Sequence, residues 1–268
     1  MRNFIDILTK SKVLTFILLL TLLFELMPIS QRCLEDVSNI YNSKDWGLGY
    51  NKGSLPTGMD SIETLRNYDA YFLDDSGEKV VYLTFDSGYE NGYTNSLLDT
   101  LKEKNVPATF FLVGNYFKSD PDLVKRMVNE GHIVANHTMT HPKLSGISDP
   151  VKLKNEIEGV EKLYTEITGK EMKKFIRPPS GNYSLSSLQM TKDLGYNTIF
   201  WSVAYVDWMN DKQPSHDEAF SKLMSRLHDG AIILLHSNSK TNCEILGEFI
   251  DRVENEGYTF KSLDYLIR

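Results

Sequence analysis

Val80-Val81-Tyr82-Leu83-Thr84-Phe85 runs without a charge, through β-branched, aromatic and aliphatic side chains. An unbroken run of this kind is the pattern of a strand buried on both faces. Asp86 and Ser87 stand at its exit, and Gly88 permits a sharp turn. From there the pattern alternates. A helix near 93–104 puts Leu97, Leu98 and Leu101 on one face, and a strand over 108–113 follows Pro107. Asp120-Pro121 supplies the cap and first-turn proline of a helix to Glu130, and 132–136 reads as the next strand. Asp149-Pro150 opens a long helix to Thr168, followed by a short strand over 174–176 that ends at Arg177-Pro178-Pro179. Helices over 185–194, 217–228 and 244–256 then alternate with strands over 198–203, 231–235 and 258–260.

Glycine closes four of these helices, at Gly131, Gly195, Gly230 and Gly257, as expected of left-handed caps. Strand alternating with helix implies parallel strands joined by helical crossovers. About seven strands from residue 80 onward predict an α/β fold, an irregular or incomplete (β/α) barrel. An open doubly wound sheet is the alternative. No Gly-x-Gly-x-x-Gly follows the first strand, which counts against a dinucleotide site.

Before residue 80 the picture changes. Arg2, Lys10 and Lys12 precede an apolar run over 13–24, interrupted by Glu25 and Pro28. A basic flank and about a dozen apolar residues form an export signal, short of the roughly 20 that span a membrane. Residues 1–30 are therefore expected to be a signal peptide or an uncleaved membrane anchor, with a buried core helix as the plainer alternative. The protein would then be exported, secreted or membrane-anchored. Residues 31–79 read as a linker and lead-in that packs on the barrel, with irregular chain around Trp46, Gly47, Gly49, Gly53 and Pro56 and a short strand at Tyr71-Phe72-Leu73. Residues 80–268 form the expected catalytic domain. The chain's 268 residues, 41% of them hydrophobic, suffice for one large core, and a net charge of −7 gives no case for nucleic acid. Cys33 and Cys243 predict no structural disulfide and no cysteine metal site.

Barrel enzymes carry their chemistry at the C-terminal ends of strands. Asp86, the pair His137 and His141, Arg177, Asp207 and His236 all fall at such ends. The spacing His137-x-x-x-His141 brings two imidazoles to one side of a helical turn, which suits zinc or a similar divalent ion, although pairs at this spacing also arise by accident. With a metal polarising a carbonyl, Asp86 is the candidate base, His236 the candidate acid, and Asp207 the partner that keeps His236 protonated. Trp201 reads as core and Trp208, beyond its strand, as a wall for a sugar ring; Tyr89 and Tyr93 fit either role. His132, His216 and His228 receive none.

These residues resemble a known family. Thr84-Phe85-Asp86-Ser87-Gly88, His137-Thr138-Met139-Thr140-His141-Pro142, Arg177-Pro178-Pro179-Ser180-Gly181, Asp207-Trp208 and Leu234-Leu235-His236 look like the motifs of the polysaccharide deacetylases, the NodB-homology or carbohydrate esterase family 4. Tyr89-Glu90-Asn91-Gly92-Tyr93-Thr94, the run from Trp201 to Trp208, and His236-Ser237-x-Ser239-Lys240-x-Asn242 are similar to the delta-lactam-biosynthetic de-N-acetylases of spore formers. The resemblance implies that Asp86 is the general base, Arg177 its orienting partner and His236, tuned by Asp207, the general acid. It implies a metal on His137 and His141, and an oxyanion held by the Ser180 backbone amide. Ser87 departs from the wider family, which has a second aspartate there as the third metal ligand; a serine hydroxyl is a weaker donor. The implied reaction removes acetyl from N-acetylmuramic acid of peptidoglycan, so that the amine can close to the lactam of spore cortex, in possible coupling with an N-acetylmuramoyl amidase. Two other readings stand beside it: a deacetylase of N-acetylglucosamine in peptidoglycan or chitin oligomers, and a non-catalytic glycan-binding protein with a decayed metal site.

Overall fold

The computed structural model describes residues 40–50 and 55–267. The expected export segment, residues 1–30, lies outside the described residues, as does Cys33. No described helix is long and apolar enough to cross a membrane. Everything below belongs to one compact unit, Ser43–Arg268.

In chain order the elements are β1 (Lys44–Asp45), α1 (Ile62–Arg66), β2 (Ala70–Tyr71), β3 (Val80–Ser87), α2 (Thr94–Lys104), β4 (Ala108–Leu112), α3 (Gly114–Ser119), α4 (Pro121–Asn129), β5 (Ile133–Asn136), α5 (Pro150–Thr168), β6 (Phe175–Ile176), β7 (Asn182–Tyr183), α6 (Leu185–Asp193), β8 (Asn197–Ile199), α7 (His216–Ser225), β9 (Ala231–His236), α8 (Lys240–Asn255) and β10 (Thr259–Phe260). Eight of the strands make one sheet with parallel pairings throughout. Its path runs β4, β5, β6, β8, β2 on one side of β3, with β9 on the other and β10 against the start of β3. The seven strands expected from residue 80 are present, and the lead-in adds β2 as the eighth. The sheet curls into an incomplete barrel: past β8, Val203 bridges back to Ile233 of β9.

The two faces of β3 explain the barrel. Side chains alternate along a strand. Val81, Leu83 and Phe85 pack outward with Leu97, Leu98 and Leu101 of α2 and with Ile245, Leu246, Phe249 and Ile250 of α8. Val80 and Tyr82 point the other way, into an interior shared with Phe111, Ile133, Phe175, Ile199 and Ile232. All eight residues of β3 are buried, as the uncharged run predicts.

Three local expectations change. The strand expected over 198–203 stops at Ile199, because the carbonyls of Ile199 and Phe200 accept hydrogen bonds from the buried Arg177 side chain (3.0 and 3.2 Å). Helix α3 fills what reads as loop after the 108–113 strand. Gly114 starts it, where a Cβ would meet the Met139 carbonyl oxygen at 2.7 Å. The chain around Trp46 is core: its ring is 7% exposed, stacks on Phe200 at 4.4 Å, and donates from Nε1 to the Trp201 carbonyl (3.0 Å). Cys243 is a free thiol.

Candidate active site

The alternation that sends Val80 and Tyr82 into the barrel carries Asp86 to its C-terminal mouth. On β9 the same rule groups His236 with inward-facing Ile232. Asp86 and His236 are direct register partners across β3 and β9. The central strand and its neighbour thus deliver one carboxyl and one imidazole side by side, on backbone fixed by parallel pairing.

Arg177 follows β6, and its backbone N–H bonds the Asn136 carbonyl at the end of β5 (3.0 Å). The side chain is fully buried, stacked on Phe111 at 4.2 Å, and donates from Nη1 to Asp86 Oδ1 at 2.7 Å. Burial alone would raise the Asp86 carboxyl. The Arg177 guanidinium, then His137 and His236, outweigh it and hold the group below the ordinary carboxylate range.

His137 and His141 do not share a helical turn. They lie in a loop in which Thr138 and His141 take left-handed backbone (φ 68° and 60°). The loop is pinned from outside: Asn136 Oδ1 accepts from Thr138 N (2.8 Å), and the Glu156 carboxylate accepts from Thr140 N and Oγ1 (2.8 and 2.7 Å). The rings still meet edge-on, with centroids 5.0 Å apart. His137 Nδ1 bonds the Arg177 carbonyl (2.8 Å), which makes Nδ1 the protonated nitrogen and leaves the Nε2 lone pair 3.6 Å from Asp86 Oδ2. Burial lowers the His137 pKa to about 4 against the pull of Asp86, and burial lowers that of His141 as well. Two neutral imidazoles, one with its outer nitrogen fixed by a backbone carbonyl, fit a first-row divalent cation. The Ser87 hydroxyl is paired with Ser237 Oγ at 2.6 Å, and as a neutral oxygen it is a weaker ligand than a carboxylate. Among the described residues no group of three His, Cys, Asp or Glu is placed to hold a metal.

On the opposite wall, His236 Nδ1 is 2.7 Å from Asp207 Oδ1, and the His236 backbone N–H donates to Asp207 Oδ2 (2.8 Å). Burial pushes the imidazole down, but the Asp207 carboxylate outweighs it and raises the pKa. The proton on Nδ1 is tied to Asp207, so Nε2 is the nitrogen turned to the cleft. The cleft has a volume of about 670 Å³ and brings together Asp86, Ser87, Tyr89, His137, His141, Ser180, Trp208 and His236. Ser180 sits in left-handed backbone (φ 53°), held by the turn that lets Gly181 lie against Trp46 and Trp201.

Trp208 is half-exposed and lies 5.5 Å from the His236 ring, at the rim. Trp201, expected in the core, packs against two core clusters and also lines the cleft. Tyr93, a candidate for substrate contact, stands at the residue before α2 and is not part of the cleft lining. Tyr89 does line it, its hydroxyl accepting from Asn210 and Asn238 (both 2.8 Å). Sequence reasoning passed over Asn238, which is in the lining, and named Asn242 in the run after His236 without a role; it bonds Asp207. The signal was the run after His236, whose polar spacing resembles a family pattern without showing what each residue touches.

Residues 74–199 match the family model for polysaccharide deacetylases. Among curated proteins, the peptidoglycan-N-acetylmuramic acid deacetylase PdaA of Bacillus subtilis is 42% identical over 225 residues, which is 83% of this chain and 85% of the relative. A peptidoglycan-N-acetylglucosamine deacetylase of Bacillus cereus is 34% identical over 187 residues, 68% of this chain and 66% of the relative. The solved structure of B. subtilis PdaA, a family 4 carbohydrate esterase, superposes with a TM-score of 0.80 at 40% identity, covering 85% of this chain and 97% of that one. With the fold and relatives of this extent in agreement, the chain belongs to the polysaccharide deacetylase family, the hydrolases of carbohydrate esterase family 4.

Proposed function

We propose that this protein hydrolyses the acetamide of N-acetylmuramic acid residues in the glycan strands of peptidoglycan. The observation that carries the chemistry is the paired placement of Asp86 and His236, one held ionised and the other held protonated at the same cleft. Asp86 Oδ2 takes a proton from water as its oxygen bonds the acetyl carbon. The His236 imidazolium gives a proton to the nitrogen as the C–N bond breaks, leaving acetate and a free amine. Arg177 keeps the Asp86 carboxylate charged and aimed. Ser180 lines the cleft with left-handed backbone, which supports an oxyanion role for its amide. Trp208 offers an aromatic face to the sugar. Deacetylases of this family are generally metal-dependent. His137 and His141 would hold a divalent ion, zinc being the first choice for imidazole donors, and such an ion supplies Lewis-acid polarisation of a carbonyl.

The choice of muramic acid over glucosamine rests on the identities, 42% against 34%. The freed amine sits beside the lactyl carboxyl of the same sugar, so lactam closure in spore cortex, after an amidase removes the stem peptide, is part of the proposal. So are export through residues 1–30 and work on the wall side of the membrane. Mass analysis of glycan strands incubated with the protein, with and without chelator, tests this reading. Loss of acetyl from muramic residues is expected. Loss from glucosamine residues alone transfers the reading to the second substrate, and no loss from either contradicts it.

A further inference from the structure

The run His236-Ser237-Asn238-Ser239-Lys240-Thr241-Asn242 contributes only its histidine to the chemistry above. The rest folds into a support for it. Ser239 caps α8: its Oγ accepts from Asn242 N at 3.2 Å, while its hydroxyl donates to Gln213 Oε1 at 2.7 Å. The cap places Asn242 in the first turn of α8, fully buried.

Asp207 is buried too, and a buried carboxylate needs its lone pairs occupied. Oδ1 takes the His236 Nδ1 proton. Oδ2 takes two neutral donors, the His236 backbone N–H at 2.8 Å and Asn242 Nδ2 at 2.6 Å. The second Nδ2 hydrogen of Asn242 reaches the His236 carbonyl at 3.1 Å. Asn242 therefore bridges the acid's own backbone and the carboxylate that holds its ring. Tyr205, in the segment past β8 that leads to Asp207, donates its hydroxyl to Asn242 Oδ1. Asp207 Oδ2 and the His236 carbonyl can only accept, so they require Nδ2 on their side and leave Oδ1 to take the Tyr205 hydroxyl, which holds the amide from behind. Burial, with the charges of Asp207 and Glu218, raises the Tyr205 phenol well above its usual value, so it stays a donor.

The chemistry of the donors matters. A lysine or arginine on Oδ2 would cancel the charge that Asp207 offers the imidazolium. An amide fixes the carboxylate in place and leaves its charge to His236. Without the amide, Oδ2 keeps a single donor, and the carboxylate is freer to turn Oδ1 away from Nδ1.

We propose that Asn242, held from behind by Tyr205, is a positioning residue that locks the Asp207 carboxylate and thereby the Nδ1–H tautomer and ring direction of His236. The inference rests on His236 being the acid of the reaction above, but its structural half can be read without substrate. The full chain labelled with ¹⁵N-histidine is expected to show a downfield Nδ1–H resonance, assigned by its loss in His236→Gln. In Asn242→Leu that resonance should shift or broaden away. On muropeptide, kcat should fall about ten- to hundredfold at unchanged KM, the size of one lost charge-assisted hydrogen bond. Tyr205→Phe, which removes one hydroxyl, should give the same changes in weaker form. The double variant should be no slower than Asn242→Leu alone, because both act through one bond chain. A folded Asn242→Leu with the resonance in place and wild-type kcat overturns the proposal, as do effects that multiply in the double variant. If Asn242→Leu does not fold, Tyr205→Phe decides: an unmoved resonance and unchanged kcat overturn it. If the wild type deacetylates nothing, the catalytic reading has failed, and the resonance alone judges the positioning.

Discussion

Asp86 and His236 face each other as register partners on β3 and β9, with opposite charges imposed by different neighbours. Arg177 holds the first down and Asp207 holds the second up, each against its burial. Activity should therefore be lost as pH falls through the lowered Asp86 pKa and as it rises through the raised His236 pKa. Asp207→Asn removes the charge that raises His236. The high-pH limb of kcat/KM should then move to lower pH, with a fall in kcat. A limb that stays in place would separate His236 from the acid role.

Arg177 has no surface to retreat to. Its Nε and Nη2 bond the carbonyls of Ile199 and Phe200 while Nη1 serves Asp86. Arg177→Ala strands a buried carboxylate and should cost about 3–5 kcal/mol of stability, read by denaturant unfolding. Arg177→Lys should rescue little, since an ammonium cannot span the same three oxygens as a planar fork.

How much of this was readable beforehand follows from the range of the forces involved. The β3 run, the capped helices and the glycine stops are local, so the barrel and the strand-end placement of Asp86, Arg177 and His236 were legible. The early end of β8 was not, because it depends on Arg177 arriving from another strand to claim the Ile199 and Phe200 carbonyls. The His137–His141 spacing suggested a helical turn. Asn136 and Glu156, contacts from outside the loop, hold a left-handed path in its place. Trp46 looked like linker because its partners, Phe200 and Trp201, lie about 150 residues on.

The neutral state of His137 has a stability consequence. Its pKa falls from 6.5 to about 4 on folding, so the unfolded chain binds the extra proton between those values. Stability should decline as pH drops through that window. His137→Gln should flatten the slope, read as unfolding midpoint against pH. An unchanged slope would show that the ring is charged in the folded protein.

Trp208 stands half-exposed at the rim, against His236 and outside the core clusters. Trp208→Ala should raise KM for glycan severalfold and change stability by no more than about 0.5 kcal/mol. A loss of stability without a change in KM would make it a packing residue.

Phe85 is fully buried and stacked on Phe110 at 5.1 Å on the helix-facing side of β3. Phe85→Ala should cost about 3–5 kcal/mol, read by denaturant unfolding. A smaller loss would show that the helices collapse onto the gap.

The most direct test is acetate released from N-acetylated peptidoglycan strands by the wild type, Asp86→Asn and His236→Ala, each verified as folded. The paired acid–base site predicts acetate from the wild type and a loss of at least about a hundredfold in each variant. Wild-type rates in either variant would contradict it.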